Sequence, residues 1–274
     1  MRFFISLIAI LCCTGGLSAQ QTLQTPQVNS ILYSGPGDNQ PLLVGLGGSE
    51  GGNAWSSDHW KATRDTFLAK GYAFLALGYF GAPGTPDTLN RISIDAVHDA
   101  ILKAASNPRI NKRKIAIIGG SRGGDLALLL ASYYPDISCV VAIVPSHVTF
   151  PGHTDHFSTP AWTFKGRDLP FVPVNEASVP FLMKRDLRGA FEAMLQDTAA
   201  ERTALIPVQN IKGPVLLLSA KSDEICPSTP MCEKMIQQLK RKDARHIAYD
   251  GKHAEPLKHF DTVYKFLDQH FKAR

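Results

Sequence analysis

The chain has 274 residues, of which 44% are hydrophobic and 19% are charged, so it can bury a sizeable core and lacks the composition of a disordered chain. The formal net charge is +5, and the lysines and arginines are dispersed rather than gathered in a basic tract, which argues against a nucleic-acid partner. The length fits one large domain or two small ones.

The N-terminal segment has the layout of a secretory signal peptide. Arg2 precedes an apolar run over residues 3–13, and small residues follow up to Ala19. Cleavage after Ala19 fits this pattern best. A lipoprotein signal through Cys12 or Cys13 is the weaker alternative, because Leu11 or Cys12 then occupies a position that favours small residues.

Export follows from that assignment. The apolar run is too short to span a bilayer comfortably, and no later segment resembles a membrane-spanning helix. We therefore expect residues 1–19 to be a signal peptide and residues 20–274 to form a single domain without a membrane span. The mature protein is then expected in the periplasm or outside the cell.

Short apolar runs alternate with helical patterns along the rest of the chain. The apolar runs predict six strands, at 41–46, 72–78, 114–120, 138–144, 214–220 and 244–250. The helical patterns lie near 56–70, 93–106, 122–134, 229–241 and 256–272. Most of the strands are apolar throughout, as in parallel strands that are covered on both faces. This alternation predicts an α/β fold with a mostly parallel sheet flanked by helices.

One region departs from this alternation. Residues 146–183 are rich in proline, histidine and aromatic residues, and a helix is predicted near 184–199. An insertion between strands of a parallel sheet usually covers the edge where ligands bind. We therefore expect a small cap over residues 146–205. Its aromatic residues are candidates to line an apolar acyl site, with core packing as the alternative: Trp162, Phe164 and Phe171.

Two copies of G-x-S-x-G compete for the role of nucleophile. Ser121 follows the apolar strand "KIAIIGG" directly and precedes the helical pattern "RGGDLALLLAS". Strand, tight turn and helix in immediate succession are typical of the nucleophile elbow of α/β-hydrolases, and the flanking glycines allow the tight turn. Ser49 also follows a strand, but its helix begins only near Ser56. The pattern favours Ser121 as the nucleophile.

The first copy suits a different role. In this fold one backbone donor of the oxyanion hole follows the nucleophile, and a second comes from the loop after an early strand. We therefore expect the N–H of Arg122 and a backbone N–H at Gly48 or Ser49 to form the oxyanion hole. Glu50 is puzzling beside such a site, because its carboxylate would hinder an oxyanion unless it pointed away.

A reactive serine needs a base, and the base needs an orienting acid. Asp223 comes just after the strand "PVLLLSA", and His253 lies in the loop before the last helix, in the order serine, acid, histidine that this fold uses. We predict that His253 is the general base and that Asp223 orients it. Glu224 remains the rival acid.

No cofactor or metal site is predicted. His153 and His156 in "PGHTDH" have metal-ligand chemistry, but a solvated loop is the simpler interpretation. Cys226 and Cys232 flank a short loop, and an oxidising compartment would permit a disulfide between them; free thiols are the alternative.

Six segments resemble the C-terminal catalytic domain of bile acid-CoA:amino acid N-acyltransferases and acyl-CoA thioesterases, which is a dienelactone-hydrolase-like α/β-hydrolase domain. They are "LGGSEGG", "YAFLALGYFGAPGTPDTL", "IGGSRGGDLALLLAS", "WTFKGRDLPF", "IPVQNIKGPVLLLSAKSDEICPS" and "YDGKHAEP". The family motif G-x-[S/C]-K-G-x-E-L is matched with Arg122 in place of lysine and Asp125 in place of glutamate. The resemblance implies a catalytic triad of Ser121, Asp223 and His253. At the nucleophile position this chain has serine, as the thioesterases of the family do. The resemblance implies cysteine there in the members that transfer acyl groups to amino acids.

These observations predict an exported serine esterase or thioesterase that forms an acyl-enzyme with a small-molecule acyl substrate. Because coenzyme A is not expected outside the cytosol, an acyl-CoA is a doubtful natural substrate. Acyl transfer to an amine is one alternative, and a non-catalytic binding protein with a hydrolase fold is another. The acyl chain, the leaving group and the oligomeric state do not follow from the sequence.

Overall fold

The computed structural model describes residues 19–272. Residues 1–18 and 273–274 lie outside the described residues, and with them all of the predicted signal peptide except Ala19. Within residues 19–272, we find no helix that combines the length and the hydrophobicity of a membrane span.

A central eight-stranded sheet organises the chain. The strands of the whole structure are β1 (Ala19–Leu23), β2 (Asn29–Ser34), β3 (Gln40–Leu46), β4 (Ala73–Gly78), β5 (Ile92–Ser93), β6 (Ile110–Gly120), β7 (Cys139–Ile143), β8 (Trp162–Phe164), β9 (Arg167–Asp168), β10 (Val215–Ala220) and β11 (Ala244–Tyr249). The central sheet has the order β1-β2-β4-β3-β6-β7-β10-β11. The pairs from β4 to β11 are parallel, whereas β1 pairs with β2, and β2 with β4, in antiparallel fashion.

Helices cover both faces of this sheet. They are α1 (Lys61–Ala69), α2 (Ile94–Ala105), α3 (Arg122–Tyr133), α4 (Val179–Met183), α5 (Leu187–Met194), α6 (Thr198–Thr203), α7 (Ser228–Leu239) and α8 (Phe260–Leu267), the last followed by a π-helical turn, Asp268–Lys272. Leu42 and Val44 of β3 pack in one core with residues of α2, α3 and α7. Leu43 packs in a second core with residues of α1 and α8. Successive strand residues thus face opposite helical layers, which explains the continuous apolar runs.

The α/β-hydrolase fold and its mostly parallel sheet are confirmed, with differences in several local elements. The antiparallel strands β1 and β2 were not predicted; β1 is polar and largely exposed, whereas β2 is mostly buried. Strand β6 begins four residues earlier than predicted, and residues 111–113 of this added part are polar. The helix predicted near 184–199 is divided into α5 and α6, because Asp197 caps a new helix by accepting hydrogen bonds from the N–H groups of Ala199 and Ala200.

The cap predicted at 146–205 is present as a small layer of short elements. Strands β8 and β9 join β5 in a separate three-stranded sheet, and helices α4, α5 and α6 follow. The segment has a small core of its own, formed mainly by Val148, Phe150, Val172, Met194 and Ala204. It faces the carboxyl ends of the parallel strands, where α/β folds bind their ligands.

Candidate active site

Ser121 lies in a strained turn between β6 and α3. Its φ is 52° and its ψ is −122°, a conformation that L-residues rarely adopt and that costs about 1–3 kcal/mol. The turn is held by the hydrogen bond from Ser121 N–H to the carbonyl of Ile143, 2.8 Å, and by those from Gly124 and Asp125 to the carbonyl of Ser121. This is the strand–turn–helix geometry of a nucleophile elbow.

Two glycines of the motif allow an unusually close backbone approach. A Cβ on Gly119 would lie 2.0 Å from the carbonyl oxygen of Gly123. A Cβ on Gly123 would lie 2.2 Å from the carbonyl oxygen of Gly47, in the loop after β3. The first turn of α3 therefore rests directly on the loop that carries the first G-x-S-x-G copy. A side chain at Gly119 would push α3 away from β6, and a side chain at Gly123 would push α3 away from the loop after β3.

His253 and Asp223 form the pair that the chain order predicts. Asp223 is fully buried in the turn after β10, and its carboxylate accepts hydrogen bonds from His253 Nδ1 at 2.8 and 3.0 Å. It also accepts from Ser228 Oγ at 2.6 Å and from the N–H groups of Ile225 and Cys226 at 3.0 and 3.1 Å. With Nδ1 engaged in this way, Nε2 of a neutral imidazole is left as the basic nitrogen.

The hydrogen bonds determine the charge of Asp223. Burial by itself would raise the pKa of Asp223, but the hydrogen bonds from His253 and Ser228 outweigh it and hold the pKa below its ordinary value. The carboxylate is therefore ionised at neutral pH and can stabilise an imidazolium. Glu224 instead accepts the backbone N–H of His253 at 2.9 Å, so Asp223 is the acid that contacts the imidazole ring.

Ser121 and His253 line the same cavity, which has a volume of about 820 Å³. Within the described residues, no hydrogen bond joins Ser121 Oγ to His253 in this structure. Such contacts are often loose in unliganded hydrolases and shorten when substrate binds. The structure brings the predicted nucleophile, base and acid to one edge of the sheet.

The predicted oxyanion donors differ in their availability. Arg122 N–H is at the first position of α3 and has no acceptor among the described residues, as expected for a donor that awaits a ligand. Gly48 N–H is instead engaged by Glu50 Oε1 at 2.9 Å. Glu50 therefore points toward the predicted oxyanion hole and not away from it. Ser49 lines the same cavity.

The Arg122 side chain makes buried contacts that the sequence did not predict. It is buried, donates a hydrogen bond from Nη2 to the carbonyl of Pro151 at 3.1 Å, and lies 3.6 Å from the carboxylate of Asp125. Asp125 in turn accepts the N–H of Ser146 at 2.7 Å. Burial raises the pKa of Asp125 to about 6, although Arg122 opposes the shift. This pair joins the elbow helix to the start of the cap.

The cap aromatics that were expected to line an acyl site lie away from this cavity, and Trp162 and Phe164 agree with the alternative of core packing. Trp162 is fully buried and packs against Tyr79 at 5.8 Å, and Phe164 packs against Tyr133 at 4.3 Å. Neither they nor Phe171 lines the cavity. They belong to the segment around β8 and β9, which turns away from Ser121 to pair with β5.

Other apolar residues form the cavity wall. Phe150 lines it from the cap, and α5 contributes Leu187, Ala190, Phe191 and Met194. The α5 residues are spaced i, i+3, i+4 and i+7, so they share one helical face. That spacing is visible in the sequence and would have indicated an apolar face in the cap. What it did not indicate is that this face meets Ser121.

The thiols of Cys226 and Cys232 are free, so the disulfide alternative is not formed in this structure. Cys226 lies at the cavity, with Sγ 3.9 Å from the carbonyl of Val144 and 3.9 Å from Asp223 Oδ2. Cys232 is on α7 and packs in the hydrophobic core. The two side chains therefore lie in different environments, Cys226 at the cavity and Cys232 in the hydrophobic core.

One group of described residues has metal-ligand atoms close together. Ligand atoms of Asp223, Cys226 and His253 lie within 4.8 Å of one another. The direct hydrogen bond between Asp223 and His253 already occupies the space and the atoms that a metal would need. The group therefore fits a hydrogen-bonded acid–base pair better than a metal centre. His153 and His156 are in no such group among the described residues.

Comparison with solved structures supports the fold. The structure resembles the esterase Pf2001 of Pyrococcus furiosus, with 16% sequence identity, a TM-score of 0.62, and coverage of 93% of this chain and 94% of that one. It also resembles the α/β hydrolase GrgF from Penicillium sp. sh18, with 16% identity, a TM-score of 0.63, and coverage of 93% and 99%. At these identities the likeness shows the fold alone.

Curated relatives cover most of this chain. It is 25% identical over 237 residues to acyl-coenzyme A amino acid N-acyltransferase 1 of Mus musculus, covering 85% of this chain and 52% of the relative. It is 26% identical over 201 residues to the mitochondrial acyl-coenzyme A thioesterase 2 of Homo sapiens, covering 70% and 40%. The chain thus spans about half the length of the curated relatives it matches.

A family model described as BAAT / acyl-CoA thioester hydrolase C terminal matches residues 94–252. The matched segment contains Ser121 and Asp223 and ends one residue before His253. It covers more than half of the chain, including the elbow, the cap and the turn after β10. The chain therefore belongs to the BAAT / acyl-CoA thioester hydrolase C-terminal family, whose members named above are enzymes of acyl thioester chemistry.

Proposed function

We propose that this protein is an exported serine hydrolase that cleaves an acyl ester or thioester through an acyl-enzyme on Ser121. The observation that carries the proposal is the Asp223–His253 hydrogen bond at the edge of a cavity that Ser121 enters from a strained turn. A buried, ionised acid that holds a histidine beside a serine is the arrangement that activates a serine hydroxyl.

The proposed reaction uses the three residues in turn. His253 Nε2 takes the proton of Ser121 as Oγ attacks the carbonyl carbon, and the carbonyl oxygen becomes an oxyanion. Arg122 N–H and a backbone N–H at Gly48 or Ser49 donate to that oxyanion, each contributing about 3–4 kcal/mol to the barrier reduction. The imidazolium, stabilised by Asp223, then gives its proton to the leaving group.

Water completes the cycle in the same geometry. His253 removes a proton from water as its oxygen attacks the acyl-enzyme, and the second tetrahedral oxyanion uses the same donors. Collapse of this intermediate returns the proton to Ser121 Oγ and releases the carboxylic acid. No cofactor or electron transfer is needed for either half of the reaction.

The cavity wall supports an acyl substrate. Phe150, Leu187, Phe191 and Met194 offer apolar surface beside Ser121, suited to a hydrocarbon chain. The relatives' names refer to coenzyme A thioesters. Because we propose export, on the basis of the N-terminal signal-like segment, a compound other than an acyl-CoA is the proposed substrate in that compartment.

Serine labelling tests this proposal. A fluorophosphonate probe should label the wild-type protein, and the label should be lost in Ser121→Ala together with hydrolysis of a p-nitrophenyl acyl ester. Ser49→Ala should keep the label, because the donor expected there is a backbone N–H that alanine retains. Labelling of Ser121→Ala at the wild-type level would contradict the assignment.

Acyl transfer to an amine is a second candidate, because relatives at 24–25% identity are named as amino acid N-acyltransferases. It predicts an amide product when an acyl thioester is incubated with a free amino acid. Separation of amide from free acid by mass spectrometry distinguishes the two reactions. We favour hydrolysis because the elbow residue is serine.

A further inference from the structure

The positive and negative charges of the residues on the cavity wall do not cancel. Arg122 and Asp125 have opposite charges and lie 3.6 Å apart, so their fields largely cancel. Burial and the nearby Arg122 lower the pKa of His153 to about 4, so its ring is neutral at neutral pH. Glu50 and Asp155 also line the cavity, and neither has an ion-pair partner among the described residues. The unbalanced charge of the wall is negative.

Glu50 lies close to the proposed nucleophile. Its Oε1 accepts the N–H of Gly48 at 2.9 Å, which fixes the carboxylate against the loop after β3. A Cβ on Gly48 would lie 2.9 Å from Glu50 Oε2 and 3.2 Å from the Cβ of Ser121. Glu50 Oε2 and the Cβ of Ser121 thus lie on either side of the space that such a Cβ would fill, no more than about 6 Å apart.

This position has two consequences for a bound substrate. A negative group near the scissile carbonyl is repelled by Glu50, whereas a positive group is attracted to it. A substrate oxyanion also competes with Glu50 for Gly48 N–H, since two anions cannot share one donor at short range. A cation that pairs with Glu50 draws the carboxylate from Gly48 and so relieves this competition.

We propose that Glu50 selects substrates by their charge. The cavity then favours acyl compounds with a positive group beside the scissile carbonyl and disfavours anionic ones. The inference rests on the proposed function and names a substrate class for it. Asp155 adds a second negative charge to the same wall. Compounds whose leaving group bears phosphates are then poor substrates on electrostatic grounds.

Matched thioesters test the inference. Butyryl thioesters of thiocholine, of its neutral tert-butyl isostere and of mercaptoethanesulfonate differ in charge but little in size, and Ellman's reagent detects all three thiols. Nitrophenyl esters of a trimethylammonio acid, of its tert-butyl isostere and of a dicarboxylic acid place the same charges on the acyl side. Values of kcat/KM are compared within each series for wild type, Glu50→Gln and Glu233→Gln.

Glu50→Gln keeps the size of the side chain and an acceptor for Gly48 N–H, but removes the charge. Because Glu50 is solvent-exposed, we expect a wild-type preference of about fivefold for the cationic over the neutral member in at least one series. The preference should fall to less than twofold in Glu50→Gln. It should persist in Glu233→Gln, which removes an exposed carboxylate of α7 that does not line the cavity.

The outcomes separate the two proposals. A wild type that cleaves no neutral ester or thioester contradicts the proposed function and the inference with it. An active wild type without a cationic preference in either series, or a preference that Glu50→Gln leaves unchanged, contradicts the inference alone. Thermal unfolding of Glu50→Gln near the wild-type midpoint shows that the comparison is made between folded proteins.

Discussion

Replacing Gly123 with alanine tests the contact between the elbow helix and the loop after β3. The new Cβ would lie 2.2 Å from the carbonyl oxygen of Gly47 and 2.7 Å from that of Leu46. An ordinary contact needs at least 3.4 Å, so the two backbones must separate by about 1 Å. Overpacking of this kind costs about 1–3 kcal/mol. The higher helix propensity of alanine offsets up to about 1 kcal/mol of this cost in stability.

We therefore expect Gly123→Ala to lower the free energy of unfolding by about 1–2 kcal/mol, measured by urea denaturation. Activity should fall further, because a shift of 1 Å between Ser121 and the loop at Gly48 is enough to cost about 100-fold in turnover. Gly120→Ala is the matched control for stability: its Cβ would meet nothing within 4 Å, and neither glycine has a positive φ. Equal unfolding free energies of the two variants would refute this reasoning.

Two further variants test the acid and a cavity histidine. Asp223→Asn keeps the shape but loses the charge that stabilises an imidazolium, so kcat should fall by about 10³–10⁴-fold; a loss below tenfold would exclude the proposed role. Burial and Arg122 lower the pKa of His153 from 6.5 to about 4, so the folded state binds this proton more weakly than the unfolded state. The stability of the wild type should therefore fall as pH decreases from 6.5 to 4. His153→Gln should lack this part of the loss. The change in pKa corresponds to about 3 kcal/mol at pH 4, which solvent screening of the partly exposed ring reduces to about 2 kcal/mol. A difference in unfolding free energy between wild type and His153→Gln that does not change with pH would contradict this role of His153.

Much of the fold could be predicted because its signals are local. The strands β3, β4, β7 and β10 are buried along their whole length, and their continuous apolar runs predict parallel strands between two helical layers. Strand β1 carries no such signal, since it is polar and pairs only at the edge of the sheet.

The candidate site was predictable for a related reason. In a parallel sheet, the residues that follow the carboxyl ends of strands come together at one edge, so Ser121, Asp223 and His253 could be assigned from their places after three strands. The choice between Asp223 and Glu224 could not be made in this way. Adjacent residues in a turn point in different directions, and only the tertiary structure shows which carboxylate meets the imidazole.

The sequence by itself determined the α/β class, the family and the order of the proposed nucleophile, acid and base, since each is carried by residues that are close in the chain or by their succession along it. The tertiary structure decided which side chains enter the cavity. It places Phe191 on the wall and Trp162 in the core, leaves Cys226 unpaired, and turns Glu50 toward Gly48. These outcomes depend on the packing of distant segments against one another, and no short stretch of sequence records the direction in which a side chain will point.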